Sequence, residues 1–300
     1  MRTPLSLLAL CASLLSMPQA MALSEFGIEG MGVVSTRANE AQATIAPDGQ
    51  RIVWASDRAG GAGGWDLWQA VLRDGRWQDP TPLAFNTASD ELDPFFSHDG
   101  AWLYFASNAS GGPGGFDLHG VMIRADGSFG PVLTMPVTVN TAADERRPAV
   151  RPDGQVLLFA RNGKGTRGGF DLYQATAQGR GFNTATALPA PLNSAADELG
   201  GDWRGNDGAL AITRVTAAGS QVWLVGCDYR QPATPLVLSF NSADGRTGAP
   251  VVDASKPTEL VLAGVARAPR AGGLDLYRMK TPVAENREST ACVGTQVPGT

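Results

Sequence analysis

The chain has 300 residues, 37 of them glycine and 20 proline, and a formal net charge of −5. Its only basic run is Arg146-Arg147, which excludes nucleic acid as a partner, because neutralising phosphates takes a continuous basic track. No stretch beyond the N-terminus is long and apolar enough for a membrane-spanning helix, so no transmembrane segment is expected in the mature chain.

The N-terminus reads as an export signal over residues 1–22. Arg2 is the basic end, Leu5 to Met17 the apolar stretch, and Ala20-Met21-Ala22 the small-x-small cleavage site. Cys11 has bulky Leu10 before it, which does not suit a lipoprotein box. Signal cleavage removes Cys11 and leaves Cys227 and Cys292, an even pair that an oxidising compartment allows to form a disulfide. Residues 23–282 are then expected to form a single domain, with 283–300 as a tail.

From Asn39 onward the sequence repeats itself. The first unit carries Asn39-Glu40, Asp48-Gly49, Ile52 to Asp57 and Gly63-Gly64-Trp65-Asp66-Leu67-Trp68. The second carries Asn86-Thr87-Ala88-Ser89-Asp90-Glu91, Asp99-Gly100, Trp102 to Asn108 and Gly114-Gly115-Phe116-Asp117-Leu118. The third carries Asn140 to Glu145, Asp153-Gly154, Val156 to Asn162 and Gly168-Gly169-Phe170-Asp171-Leu172-Tyr173. A fourth, worn copy keeps Asn193 to Glu198 and Asp207-Gly208, and has Gln221-Val222-Trp223 in place of Asp-Leu-Tyr. A fifth keeps Gly272-Gly273-Leu274-Asp275-Leu276-Tyr277. The Asp-Gly turn recurs every ~51–54 residues, close to the spacing of repeat architectures.

Each unit reads as four short strands. A tight Asp-Gly turn joins the first two. An apolar β-rich run, a glycine-rich loop, an Asp-Leu-Tyr/Trp strand and an outer strand with Trp77, Phe129 or Phe182 follow. Four antiparallel strands repeated radially make an all-β propeller, with five blades preferred and six the alternative. Phe26 to Val34 are expected to supply the outer strand of the last blade and close the ring.

Alternating strand direction sorts the loops onto two faces. One face gathers Glu40, Asp90, Glu91, Asp144, Glu145, Asp197 and Glu198, together with Asp66, Asp117, Asp171 and Asp275. Such acids can bind a basic peptide, a cation or sugar hydroxyls. They can equally be structural, since a residue that every repeat keeps serves what every repeat needs, and Asp66, Asp117, Asp171 and Asp275 are read that way. Departures from the repeat, Arg146, Arg147 and Trp203, are the candidates for specificity.

Catalytic and metal constellations are not found. His98 sits in an Asp-Gly turn and His119 replaces an aromatic residue after Asp-Leu. There is no Gly-x-Ser-x-Gly, His-Glu-x-x-His or Cys-x-x-Cys. Gly163 to Gly168 spells Gly-x-Gly-x-x-Gly but joins two strands, so it is no dinucleotide site. No metal, cofactor or catalytic residue is expected.

Ala46-Pro47-Asp48-Gly49, Ala55-Ser56-Asp57-Arg58 and Gly64-Trp65-Asp66-Leu67-Trp68 resemble the WD-like propeller repeat of TolB and related bacterial envelope proteins. The resemblance is to the repeat, not to TolB as a whole, whose propeller has six blades. It implies a periplasmic, non-enzymatic module that binds an envelope protein or peptide, expected to act as a monomer. The rival expectation is a glycan-active enzyme, or a carbohydrate- or cation-binding propeller, that uses acids at the channel mouth.

Overall fold

The computed structural model describes residues 25–281 except 180, 206, 228, 230, 237, 239–245 and 267. Among the described residues every regular element is a strand, and no helix is long and apolar enough to cross a membrane. The strands form five antiparallel sheets, and these are the five expected blades.

Blade 1 is β2 (Glu40–Ile45), β3 (Arg51–Ser56), β4 (Asp66–Arg73) and β5 (Arg76–Pro82), in that order from the axis outward. Blade 2 is β6 (Glu91–Phe96), β7 (Trp102–Ser107), β8 (Asp117–Ile123) and β9 (Phe129–Thr134). Blade 3 is β10 (Glu145–Val150), β11 (Val156–Asn162) and β12 (Phe170–Gln178). Its outer position is shared by two short strands, β13 (Gly181–Phe182) and β14 (Thr186–Ala187). Blade 4 is β15 (Asp197–Trp203), β16 (Leu210–Thr216), β17 (Gly219–Val225) and β18 (Thr234–Pro235). Blade 5 is β19 (Thr247–Val252), β20 (Glu259–Gly264) and β21 (Asp275–Lys280), completed by β1 (Glu25–Ile28) from the other end of the chain.

The turns form where local chemistry demands them. Gly49, Gly100, Gly154 and Gly208 all take left-handed φ, between 70° and 93°. The aspartate before each accepts the N–H of the residue after it: Gln50, Ala101, Gln155 and Ala209 donate at 2.9–3.0 Å. The second strands β3, β7, β11 and β20 have buried side chains on both of their faces, which is why they read as unbroken apolar runs.

The core lies between blades rather than inside each one. Val53, Ala55 and Leu67 of blade 1 cluster with Phe96, Leu103 and Phe105 of blade 2. Ile45, Trp54 and Trp68 of blade 1 cluster with Val261, Ala263 and Leu276 of blade 5. The innermost strands touch in ring order, and β19 meets β2. Cys227 follows β17; Cys292, its expected disulfide partner, lies outside the described residues, as do the signal segment and the tail from residue 282.

The ring closes as the sequence implies. Gly27 and Ile28 pair with Arg278 and Tyr277, and Ser35 exchanges two hydrogen bonds with the backbone of Leu276. Deleting residues 23–35 removes the outer strand of blade 5 and this lock together. The melting temperature is expected to fall by well over the ~2–4 °C that 1 kcal/mol represents at this chain size. An unchanged melting curve would mean that the closure carries no load.

Candidate functional site

The acid-bearing links and the glycine-rich loops do share one face, and the structure gives each residue of the recurring motif a job. The N–H of Trp65, in blade 1, donates to Oδ1 of Asp90 at 2.9 Å, and its carbonyl accepts from the N–H of Glu91 at 2.8 Å. Phe116 is held in the same way by Asp144 and Glu145, at 2.9 and 2.8 Å. At the closing seam Leu274 is held by Asn39 and Glu40, at 3.1 and 2.7 Å. Asp197 accepts from Gly169 and Phe170. Each link thus clasps the loop of the blade before it.

The paired glycines exist because the clasp brings backbones into contact. A Cβ on Gly63 would lie 1.9 Å from the carbonyl oxygen of Ser89, and one on Gly114 would lie 2.0 Å from that of Ala143. Asp66, Asp117, Asp171 and Asp275 cap the same loops from within, each accepting an N–H from three or four positions earlier: Ala62, Gly114, Arg167 and Ala271. Asn86, Asn140 and Asn193 pin the start of each link to that same preceding blade through both backbone groups of Leu67, Leu118 and Leu172.

The glutamates face inward. Glu40, Glu91, Glu145 and Glu198 are buried. Each accepts the hydroxyl and the backbone N–H of the residue four earlier: Thr36, Thr87, Thr141 and Ser194. Three of them also pair with an arginine: Glu40 with Arg58 at 3.1 Å, Glu145 with Arg161 at 2.8 Å and Glu198 with Arg214 at 2.8 Å. Those guanidiniums lie over Trp54 and Trp68, over Phe159 and Tyr173, and over Trp223. Burial pushes the carboxyls of Glu40, Glu91 and Glu145 above the usual range, with the threonine bonds opposing it.

Blade 2 solves the same packing problem without a cation. Ser107 and Ala109 stand where the other blades place arginine, and among the described residues no arginine reaches Glu91. Instead Phe85, at the position of Val34, Val139 and Leu192, stacks on Phe105 at 5.2 Å. The guanidiniums of Arg58 and Arg161 lie over Trp54 and Phe159 at 5.0 and 5.2 Å. An aromatic ring therefore replaces the guanidinium. His119 also stacks on Phe105, at 5.4 Å, as a packing residue.

The specificity candidates are tied into the ring: Arg146 and Arg147 are half-buried and Trp203 is buried. Arg146 pairs with Asp93 of blade 2 at 2.6 Å, and Arg147 reaches across to Thr213 of blade 4 at 2.9 Å. Burial opposes the charge of Asp93, but Arg146 and Arg147 outweigh it and hold its carboxyl below the usual range. The stem of Arg147 crosses Gly200, where a Cβ would sit 2.5 Å from that of Arg147. Trp203 is 2% exposed and lies at the opposite end of β15, in the interblade core. Its side chain therefore presents no surface on the clasp face.

Asp93 and Asp202 were not singled out from the sequence. Asp202 is fully buried, accepts the N–H groups of Trp203 and Val252, and has no cation among its partners; burial pushes its pKa up to about 7. Its signal was only a third carboxylate in β15, between Gly201 and Trp203.

No family model and no curated protein matches the sequence. Solved structures do match. TolB from Acinetobacter baumannii aligns at TM-score 0.52 and 15% identity, over 84% of this chain and 57% of that one. A putative TolB from Agrobacterium tumefaciens aligns at 0.52 and 14%, over 82% and 91%. An α-L-arabinofuranosidase from Lactobacillus brevis aligns at 0.53 and 12%, over 83% and 93%. The fold is a β-propeller, here of five blades, and the propeller is what the chain shares with all three. At these identities the likeness extends to the fold alone, and the chain spans little more than half of the Acinetobacter protein.

Two outcomes follow from this geometry. Gly63→Ala forces a Cβ into a backbone carbonyl and is expected to destabilise by about 2 kcal/mol or more, whereas Gly75→Ala, left-handed but in open space, costs about 1 kcal/mol. Urea unfolding of the two variants separates the effects. Asp202 holds a proton between about pH 4 and pH 7 that the unfolded chain, with a carboxyl pKa near ~3.9, has lost. Stability therefore falls as pH rises through that window. Between pH 5 and pH 8 the expected contribution is a loss of about 2–3 kcal/mol, and Asp202→Asn should flatten the profile by that amount.

Proposed function

We propose that this chain is a non-enzymatic interaction propeller of the bacterial envelope, which docks a protein or peptide on the face built by the interblade links and glycine-rich loops. The observation that carries this reading is that the carboxylates gathered on that face are already engaged in the clasp. A glycosidase needs two carboxyl groups free to act as acid and base or nucleophile, about 5–9.5 Å apart. Here Glu40, Glu91, Glu145 and Glu198 are buried, and both oxygens of Asp90 and Asp144 accept hydrogen bonds.

Besides the exposed Asp57, accessible charge on this face comes from Arg37, Lys164, Arg167 and Arg270, all exposed. Beside Asp144, Asn162, Lys164 and Tyr173 lies a cavity of about 580 Å³. These features favour a partner with a polar or acidic segment over the basic peptide expected from the repeated acids. Periplasmic location rests on the signal-like residues 1–22, and the Cys227–Cys292 disulfide belongs to the same reading. The exported protein is expected to begin at Leu23 and to show no titratable thiol before reduction.

The reading is tested by capture from an envelope extract with wild type, with Lys164→Glu/Arg167→Glu, and with Asp153→Lys on the opposite face, each first shown to fold. The loop variant is expected to lose the captured partner and Asp153→Lys to keep it. The reverse result would place docking on the Asp-Gly face. Because a propeller of this shape also occurs in an arabinofuranosidase, turnover of an aryl α-L-arabinofuranoside by the purified chain is the second readout. Hydrolysis abolished by a carboxylate substitution on the clasp face would replace the scaffold reading with an enzymatic one.

A further inference from the structure

The seam between blades 5 and 1 differs from the seam between blades 1 and 2. At the latter, Arg51 starts β3 and reaches the β8–β9 turn, donating to the carbonyl of Gly127 at 2.9 Å and lying over Phe129 at 5.3 Å. Strand register puts Glu259 at the position of Arg51 in blade 5, and Trp77 at the position of Phe129 in blade 1. Glu259 is shorter, and its carboxylate is held by Arg278 at 2.6 Å. The gap that Arg51 fills at one seam is here a cavity of about 780 Å³, on the Asp-Gly face of the ring. That size lies within the range of small-ligand sites.

The cavity wall is built and fixed. Arg278 bonds Glu29 and Asp253 as well as Glu259, and Glu29 accepts the indole N–H of Trp77 at 2.6 Å. Ser255 donates to Asp253. Val33, Ile45 and Leu72 line the cavity beside Trp77 and supply an apolar wall. At the rim stand Asp48, Gln50, Arg76 and Lys256; Arg76 and Lys256 make no ion pair among the described residues.

The lining carries Glu29, Asp48 and Asp253 against Arg76, Lys256 and Arg278, so neither sign prevails. An anion entering this space meets three carboxylates, and a cation meets three basic groups. A neutral ligand whose hydroxyls each donate and accept can use both sets, while its C–H surface rests on the apolar wall. We propose that this seam cavity binds a short neutral oligosaccharide, at a site separate from the clasp face.

The test is calorimetric titration of the purified chain with maltotriose, cellotriose and N,N′,N″-triacetylchitotriose, with trilysine and trigalacturonate as charged probes. At least one neutral trisaccharide is expected to bind saturably and more tightly than either charged probe. Two substitutions should weaken it by roughly tenfold or more. Glu259→Arg restores the side chain that fills the first seam, and Gln50→Trp fills the cavity from an exposed position outside the ion cluster. Lys164→Glu, on the other face, should bind as wild type does. If Glu259→Arg does not fold, Gln50→Trp decides alone. The proposal is overturned if no neutral trisaccharide saturates, if a charged probe binds more tightly, or if affinity survives in the folded cavity-filling variants.

Discussion

The ring depends on a backbone contact made again at each seam where it is described. Trp65, Phe116 and Leu274, at the tips of their glycine-rich loops, have both N–H and C=O taken by the next blade, the first by an Asp or Asn side chain and the second by the N–H of the following residue. In blade 3 Asp197 takes the loop N–H groups. Hydrogen bonds to a charged acceptor contribute about 1.5–3 kcal/mol each, so a few such contacts matter in a fold whose total stability is of order 5–15 kcal/mol. The rest of the motif serves this contact. Glycine pairs allow the approach, an aspartate inside the loop fixes its shape, and the buried glutamate with its threonine holds the link in place.

The clasp also explains the distribution of charge. A buried carboxylate is costly unless hydrogen-bonded and paired. In blades 1, 3 and 4 the glutamate receives an arginine stacked on aromatic rings; in blade 2 its hydrogen bonds come from Thr87 and Ser107, and Phe85 fills the volume. In blade 5 Thr247 takes the glutamate's place in the register. Nearer the axis, Asp93, Arg146, Arg147 and Thr213 tie blades 2, 3 and 4 together. What distinguishes one blade from another is therefore largely used in holding the ring.

The blade count, the strand order and the closure by the N-terminal strand were legible in the sequence, because Asp-Gly turns and apolar second strands are local signals. The grouping of Asp90, Glu91, Asp144 and Glu145 on one face was legible as well, since strand direction alone decides it. Their orientation was not. Whether a carboxylate faces solvent or a neighbouring loop depends on residues about 25 positions away, such as Trp65 for Asp90, and these meet only in the assembled ring. The exchange of arginine for Phe85, and of Arg51 for Glu259, was equally hidden, because positional equivalence is set by strand register. Trp203 read as a departure near an inner strand; it is a core side chain at the far end of that strand.

Asn39 shows how the central claim can be measured. At the closing seam a neutral amide performs the task that aspartate performs elsewhere. There Asn39 donates its Nδ2–H to Asp57, whereas Asp90 and Asp144 accept from Asn108 and Asn162. The account therefore predicts that an asparagine variant with the partners exchanged, Asp90→Asn with Asn108→Asp, Asp144→Asn with Asn162→Asp, and Asp197→Asn, keeps both its urea-unfolding stability and its capture of envelope partners. The matching alanine variant should lose several kcal/mol, at about 1–3 kcal/mol per clasp. An asparagine variant that unfolds like wild type but no longer binds would contradict the account, because these acids would then serve a ligand rather than the ring.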